Sequence, residues 1–433
     1  MVKVLVLTYF FPPCTLTAST RIKLIVENLS REGYYPIVVT RNWDLHLKNP
    51  SDALKSSGNR VLHLKYDNYE VYYLPYRSSL RDKFYIISES FFLFSFISKF
   101  LTLISSLSEP FFDLFIPFSN LYTFSKKVIK KEKDIKLLFT SANPFILFKY
   151  CFLINKKFSI PWIADYRDAW TTNEMSKQER GIYKFIYKLQ SIYEKKWVSS
   201  ALFFSTVSNK YLNNISKFVK RDGVFFYNGI NDLKVQIGVN KPLNKVRILY
   251  SGTIYSNQDV ESFLKTIFEL NKEFPDEFEV VFAGLGYNKI QKQRVTNSLY
   301  YCDNIVIYEW LDKSNMQKLL EQSDLLLMLS YKGFDGIPTS KLFEYLSFNK
   351  PVLLFPSDNG IIENILTKVG NHPIVNLKFQ LYEFLKSYKE SNGNINGERF
   401  KINEKNLNEF STYAQISILI DKIKSCDLNK INY

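Results

Sequence analysis

Apolar residues recur along this chain in two rhythms. Val2-Lys3-Val4-Leu5-Val6-Leu7-Thr8 is a nearly continuous apolar run, the pattern of a parallel strand covered on both faces. A Pro-containing loop follows. Ser19-Thr20 then reads as the N-cap of a helix ending at Arg31, with Ile22, Ile25 and Leu29 on one face. Gly33 stops the helix, and residues 36–40 form the next strand. A βαβ unit of this kind predicts a doubly wound α/β domain.

The alternation continues. Strands are predicted at 135–140, 161–165, 202–207 and 223–227, with helices at 145–156 and 182–199. Residues 232–245 (DLKVQIGVNKPLNK) are polar and without periodicity, which marks a linker at 233–245. A second series follows it. Strands fall at 247–251, 278–283, 304–308, 325–330 and 351–355, and helices at 260–271, 313–322 and 340–347. The expected organisation is an N-terminal Rossmann-like domain over 1–232 and a second over 246–398. Closing helices at 399–433 pack back on the first. Two α/β domains of similar size imply that ligands sit in a cleft between them.

Composition narrows the class. The 433 residues, 46% hydrophobic and 23% charged, are those of a globular chain. Four scattered cysteines without a CxxC pair suit a reducing compartment, and three isolated histidines offer no metal site. The aromatic-rich stretch 84–118 is cut by Glu89, Lys99 and Glu109 into uncharged runs of nine, far short of the roughly 20 a spanning helix needs. The N-terminus lacks a signal-peptide pattern, so a cytoplasmic protein is expected. The formal charge of +15 points to an anionic partner. No nucleic-acid motif is present. Lys126-Lys127 and Lys130-Lys131 follow the aromatic stretch, which therefore has two readings. It is ordinary core, or it is a peripheral contact with an anionic membrane surface.

Five segments carry the chemistry. They are the opening strand with its Phe-Pro-Pro loop and Arg21, and Ser141-Ala142-Asn143-Pro144 followed by Asp165-Tyr166-Arg167-Asp168. Then come Tyr227-Asn228-Gly229, Tyr250-Ser251-Gly252-Thr253, and Gly336-Ile337-Pro338-Thr339-Ser340-Lys341-Leu342-Phe343-Glu344. In this order they resemble the family-four retaining glycosyltransferases of GT-B fold, in their surface and capsular polysaccharide branch. The last segment has a physical reading of its own. Small residues lead into a helix start, where unpaired N–H groups face an anion, and Lys341 adds charge. A surface helix with an i,i+3 Lys–Glu pair is the alternative.

The resemblance implies a nucleotide-diphospho-sugar donor, UDP- or GDP-linked, and a saccharide or polyprenyl-linked acceptor. Transfer would be retaining, with no metal or other cofactor. It implies a donor site at Gly252, Thr253, Trp310, Leu311, Gly336, Ile337, Pro338, Thr339, Ser340, Lys341 and Glu344, with Glu344 on the ribose. Asp165, Arg167, Asp168 and Lys341 are the catalytic candidates, and Arg21 and Asn228 lie on the phosphate or acceptor side. For Asp165, Arg167 and Asp168 a structural ion-pair network stays open beside catalysis. Three positions depart from the family pattern. Gly336 stands where a sugar-holding Glu is usual, with Asp335 adjacent, and Thr253 and Gln258 stand where an Arg and a Lys usually face the diphosphate. A nucleotide-sugar epimerase and a non-catalytic nucleotide- or glycan-binding relative are the other functions this pattern allows.

Overall fold

Eight strands form one sheet in the order β3-β4-β2-β1-β5-β6-β7-β8, and five form another in the order β11-β10-β9-β12-β13. The computed structural model describes the chain except residues 45–46, 48–49, 114–115, 174–180, 232, 234–243, 332–335 and 427–433. The predicted linker falls mostly within 234–243, outside the described residues, as do His46 and Asp335. The chain divides into two units, Met1–Tyr227 with Gln415–Tyr433, and Asn228–Ala414.

Unit 1 holds β1 (Val2–Thr8), β2 (Tyr34–Arg41), β3 (Leu62–Lys65), β4 (Glu70–Leu74), β5 (Ile135–Ala142), β6 (Trp162–Tyr166), β7 (Phe203–Thr206) and β8 (Gly223–Phe225). Every pairing is parallel except that of the edge strand β3 with β4. Its helices are α1 (Thr17–Arg31), α2 (Leu80–Ser88), α3 (Leu93–Ser108), α4 (Ser119–Lys131), α5 (Ile146–Phe158), α6 (Ile182–Val198) and α7 (Asn209–Val219). Val4, Val6, Ile22, Ile25, Val38, Phe139 and Ile163 form the core, as the apolar runs and the α1 stripe require.

One start differs from the expectation. Helix α1 begins at Thr17, with Leu16 as an N-cap that makes no side-chain bond. Ser19 is not the cap. Its hydroxyl donates to the carbonyls of Cys14 and Leu16, at 2.6 and 2.9 Å, from inside the first turn. Strands β3 and β4 have no counterpart in the sequence pattern: His63 and Lys65 break up the exposed edge strand β3, while the buried β4 is a short run that opens on Glu70.

Unit 2 is wholly parallel, with β9 (Val246–Ser251), β10 (Phe278–Ala283), β11 (Ile305–Tyr308), β12 (Leu325–Leu329) and β13 (Val352–Phe355). Its helices are α8 (Val260–Glu273), α9 (Lys289–Thr296), α10 (Lys313–Gln322), α11 (Ser340–Leu346), α12 (Ile361–Val369), α13 (Lys378–Glu390) and α14 (Glu404–Asn408). Helix α15 (Thr412–Ser425) places Ile416, Leu419, Ile420 and Ile423 in the core of unit 1. Among the described residues no helix is long and apolar enough to cross a membrane.

Candidate functional site

In unit 2 the strand order reverses between β9 and β12, since the chain adds β10 and β11 on one side and β13 on the other. A doubly wound sheet opens a crevice at the carboxyl ends of its strands at such a point. The segments that meet there are those singled out by sequence. Gly252 and Thr253 follow β9, Gly284 to Gly286 follow β10, Trp310 and Leu311 follow β11, and Gly336 to Lys341 follow β12.

Close approach of two loops explains two of the glycines. Gly252 has φ +89° and Gly284 φ +99°, both in the left-handed region. A Cβ on Gly284 would lie 3.2 Å from the Cα of Gly252, so the β9 and β10 loops pack backbone to backbone. Gly286 leaves room for Trp310, whose Nε1 would be 2.6 Å from a Cβ there. Trp310 and Leu311 are half-buried beside this loop.

Lys341, in the first turn of α11, reaches into the space that these glycines leave. Its Nζ lies 3.5 Å from the centroid of the Tyr250 ring, and 3.8 Å from where a Gly252 Cβ would be. Among the described residues it makes no hydrogen bond or ion pair; the ring and the charge of Glu344 are its partners. Burial pushes its pKa down to about 7, and the Glu344 carboxylate partly opposes this. Part of the side chain still reaches solvent. Beside it Thr339, at the N-cap of α11, keeps a buried hydroxyl oxygen with no partner among the described residues. Ile337 and Ser340 are half-buried, Pro338 is buried and Glu344 is exposed. Sequence reasoning missed Tyr250, the ring under Lys341. It also missed Tyr345, whose phenol accepts the Ser251 N–H at 2.8 Å and ties α11 to the end of β9. An apolar-strand Tyr followed by Ser-Gly was the available clue to the first.

The unit 1 candidates have a different character. Asp165, at the end of β6, is fully buried and accepts from four donors. Arg21 Nη2 and Nε approach at 3.0 and 3.3 Å, Ser141 Oγ at 2.7 Å and Ser205 Oγ at 2.8 Å. The Arg21 guanidinium also lies 4.0 Å above the Phe226 ring. Asp165 thus sits between Ser141 of β5 and Ser205 of β7, and Arg21 of α1 supplies its counter-charge. Arg167 and Asp168, just beyond, are accessible and pair with one another at 3.0 Å, with Arg167 near the ring of Phe10. The loop that holds them is anchored from α6. Buried Glu194 accepts from Tyr166 Oη at 3.0 Å, Thr171 N–H at 3.0 Å and the Thr171 hydroxyl. Burial lifts the Glu194 carboxyl to about 7 against those hydrogen bonds. Asn228 is half-buried at the first residue of unit 2.

Comparison with known proteins bears on this arrangement. Residues 234–371, which include the β9–β12 reversal and α11, match the model of glycosyl transferases group 1. The match marks this segment as similar to the group 1 glycosyltransferases. A curated relative, an uncharacterized glycosyltransferase of Methanocaldococcus jannaschii, is 23% identical over 194 residues. That is 41% of this chain and 47% of the relative, so the match spans about half of that protein. Among solved structures, sucrose-phosphate synthase from Thermosynechococcus elongatus superposes with a TM-score of 0.60 at 10% identity over 98% of both chains. A UDP-forming alpha,alpha-trehalose-phosphate synthase from Burkholderia vietnamiensis gives 0.59 at 8% identity, over 98% of this chain and 99% of that one. At such identities the likeness is one of fold, and the fold is GT-B with its two Rossmann-like sheets.

The three departures from the pattern that the sequence resembles now have a geometry. Gln258 is 1% exposed and its amide is bonded at both ends inside the unit. Nε2 donates to Leu329 O at 2.7 Å, and Oε1 accepts from Tyr255 N–H at 2.9 Å and Tyr250 Oη at 3.1 Å. It holds the β9–α8 loop to the end of β12 and offers no group to a ligand. Thr253 contributes its carbonyl to Tyr250 Oη at 2.9 Å. Gly336 has φ +83°, a conformation that disfavours the Glu usual in the family.

Proposed function

We propose that this chain is a glycosyltransferase that binds a nucleotide-diphospho-sugar at the carboxyl ends of β9 and β12 and transfers the sugar with retention of configuration to a lipid-linked saccharide. The observation behind this reading is the Lys341 ammonium, crowded by protein and without a hydrogen-bond acceptor among the described residues. A buried charge in that state is costly. A diphosphate would supply the missing acceptor and counter-charge, and the orphan hydroxyl of Thr339 would supply a donor to it.

In the chemistry that the family resemblance implies, the bond between the sugar's anomeric carbon and the β-phosphate oxygen breaks. The acceptor oxygen bonds to that carbon on the same face, and its proton passes to the departing phosphate. Lys341 stabilises the charge that develops on that phosphate. Glu344 accepts from ribose hydroxyls, and Trp310 and Leu311 flank the base. Arg167 and Asp168 are assigned to the acceptor, with Asp165 and Arg21 as the buried tie beneath them. Building a surface or capsular polysaccharide at the inner face of a cell membrane is the role this chemistry fits.

A thermal-shift screen with UDP, GDP and their sugar conjugates tests the reading, repeated with Lys341→Ala and Glu344→Ala. A ligand at 100 times its dissociation constant stabilises by about 2.7 kcal/mol. One nucleotide series should stabilise the wild type and neither variant. If none does, the donor site is wrongly assigned; product formed without any acceptor would replace transfer by isomerisation.

A further inference from the structure

Helix α3 is built inside out. Ser98 and Ser105 are the side chains it buries, at 4% and 5% exposure, while Leu93, Phe96 and Phe100 stand out at 72%, 58% and 61%. The spacing is regular, so the apolar stripe at 93, 96, 97 and 100 is one helix face turned to solvent. Phe91 and Phe92 extend it at the α2–α3 corner, at 62% and 73%. Helix α6 packs against α3. It adds Ile182, Phe185 and Ile192 at 50%, 62% and 56%. Contiguous exposed apolar surface of this kind marks a contact site.

Charge identifies the occupant. The charged residues of α3 and α6 are Lys99, Lys184, Lys188, Lys195, Lys196 and Glu194. All five lysines are exposed, whereas Glu194 is buried and bonded to Tyr166 and Thr171. The face is therefore dominated by aromatic, aliphatic and positive groups, with Thr102 exposed on α3 and Glu89, which accepts from Ser51, at the corner before Phe91. Rings at the level of headgroups with ammonium groups among them suit an anionic bilayer surface. A protein partner of ordinary surface composition would leave five like charges without a field to meet.

We propose that α3 and α6 of unit 1 form a docking face for anionic lipid, with the Phe side chains entering the interface and the lysines on the headgroups. The basic partners lie on α6, not on the α4 lysines that follow the aromatic stretch in sequence, since α4 packs on β1 and β2. The inference deepens the reading of a lipid-linked acceptor but needs no turnover to be tested.

The test is co-sedimentation of the full chain with vesicles of phosphatidylcholine alone or with phosphatidylglycerol. Wild type is compared with Phe96→Ser/Phe100→Ser and with Lys184→Gln/Lys188→Gln, exposed positions whose change leaves the core intact. Thermal melting without ligand confirms that each variant is folded. Wild type should bind the phosphatidylglycerol vesicles, and both variants should lose affinity, by about five-fold per lysine removed. Raising salt should release it. Equal binding by wild type and both variants, or no binding to either vesicle, overturns the proposal. A dimer in size-exclusion chromatography that Phe96→Ser/Phe100→Ser dissociates, with no vesicle binding, overturns it in favour of a second copy of this chain. Donor-nucleotide binding is read separately, so failure here leaves the donor-site reading standing and the reverse also holds.

Discussion

Each unit keeps a cation crowded by protein near the carboxyl ends of its strands, and the two are treated oppositely. Arg21 in unit 1 is paired with Asp165, which two serine hydroxyls also serve, and an aromatic ring covers the guanidinium. Lys341 in unit 2 has a ring below it and no acceptor among the described residues, and its pKa is pushed down to about 7. A charge completed from within the chain has become part of the scaffold. A charge left incomplete weakens the free protein and gives that free energy back to whatever anion completes it. On the proposed function, the contrast separates residues that hold the architecture from those that await a ligand.

The largest expected effect is on the completed pair. Asp165→Ala removes the carboxylate that neutralises the buried Arg21 guanidinium, and should destabilise by about 3–5 kcal/mol in urea unfolding. Stability within 1 kcal/mol of wild type would mean that Arg21 turns to solvent and the pair is no scaffold. Next comes Gln258→Lys, which installs the cation usual in the family. Because it removes three buried hydrogen bonds and buries a charge at the β9–β12 junction, it should cost about 3 kcal/mol and fail to raise nucleotide affinity. Tighter nucleotide binding by this variant would show that the loop has room for the family's arrangement.

Lys341→Ala should lower nucleotide diphosphate affinity by about 10–100-fold, the worth of a charge-assisted contact, with no loss of stability in the free protein. A stability loss comparable to that of Asp165→Ala would erase the distinction between the two sites.

The smallest effect is one of pH. The folded pKa of Lys341, about 7, lies below the 10.5 of an unfolded chain. Folding is therefore opposed by this group at and below pH 7, and relieved as pH rises toward 10.5. Nucleotide binding needs the charged form and runs the other way, weakening by up to about ten-fold per pH unit above 7. Calorimetric titration at pH 7, 8 and 9 should show this slope, and Lys341→Ala should flatten it. An equal slope in the variant would place the titrating group elsewhere.

Where the pattern alone was sufficient, period and cap agreed. Strand β10 (Phe278–Ala283) and helix α10 (Lys313–Gln322) lie at the predicted positions, and the Asp312 side chain caps α10 by accepting the Asn315 N–H. Position along the chain located Gln258 but said nothing of its burial, which comes from the meeting of the β9–α8 loop with β12. The Arg21–Asp165 pair joins residues 144 apart, a product of sheet topology that no local spacing reveals. The sequence marked 84–118 as aromatic-rich and left core and membrane contact open; that Leu93, Phe96 and Phe100 share one exposed face of α3 came from the fold. Strand β3 was missed because an exposed edge has no apolar face to repeat, and β4, though buried, because it is only five residues long and opens on Glu70.

The apolar seam that receives α15 has a bearing on how the protein is made. Ile416, Leu419, Ile420 and Ile423 complete a core whose other members lie before residue 227. At 5–20 residues per second a ribosome takes about 10–40 s to add residues 228–414. For that interval the nascent first unit has its strands and its helices but an open groove where the returning helix belongs. A chaperone that covers apolar grooves should therefore engage this chain early and leave only when the final helix emerges.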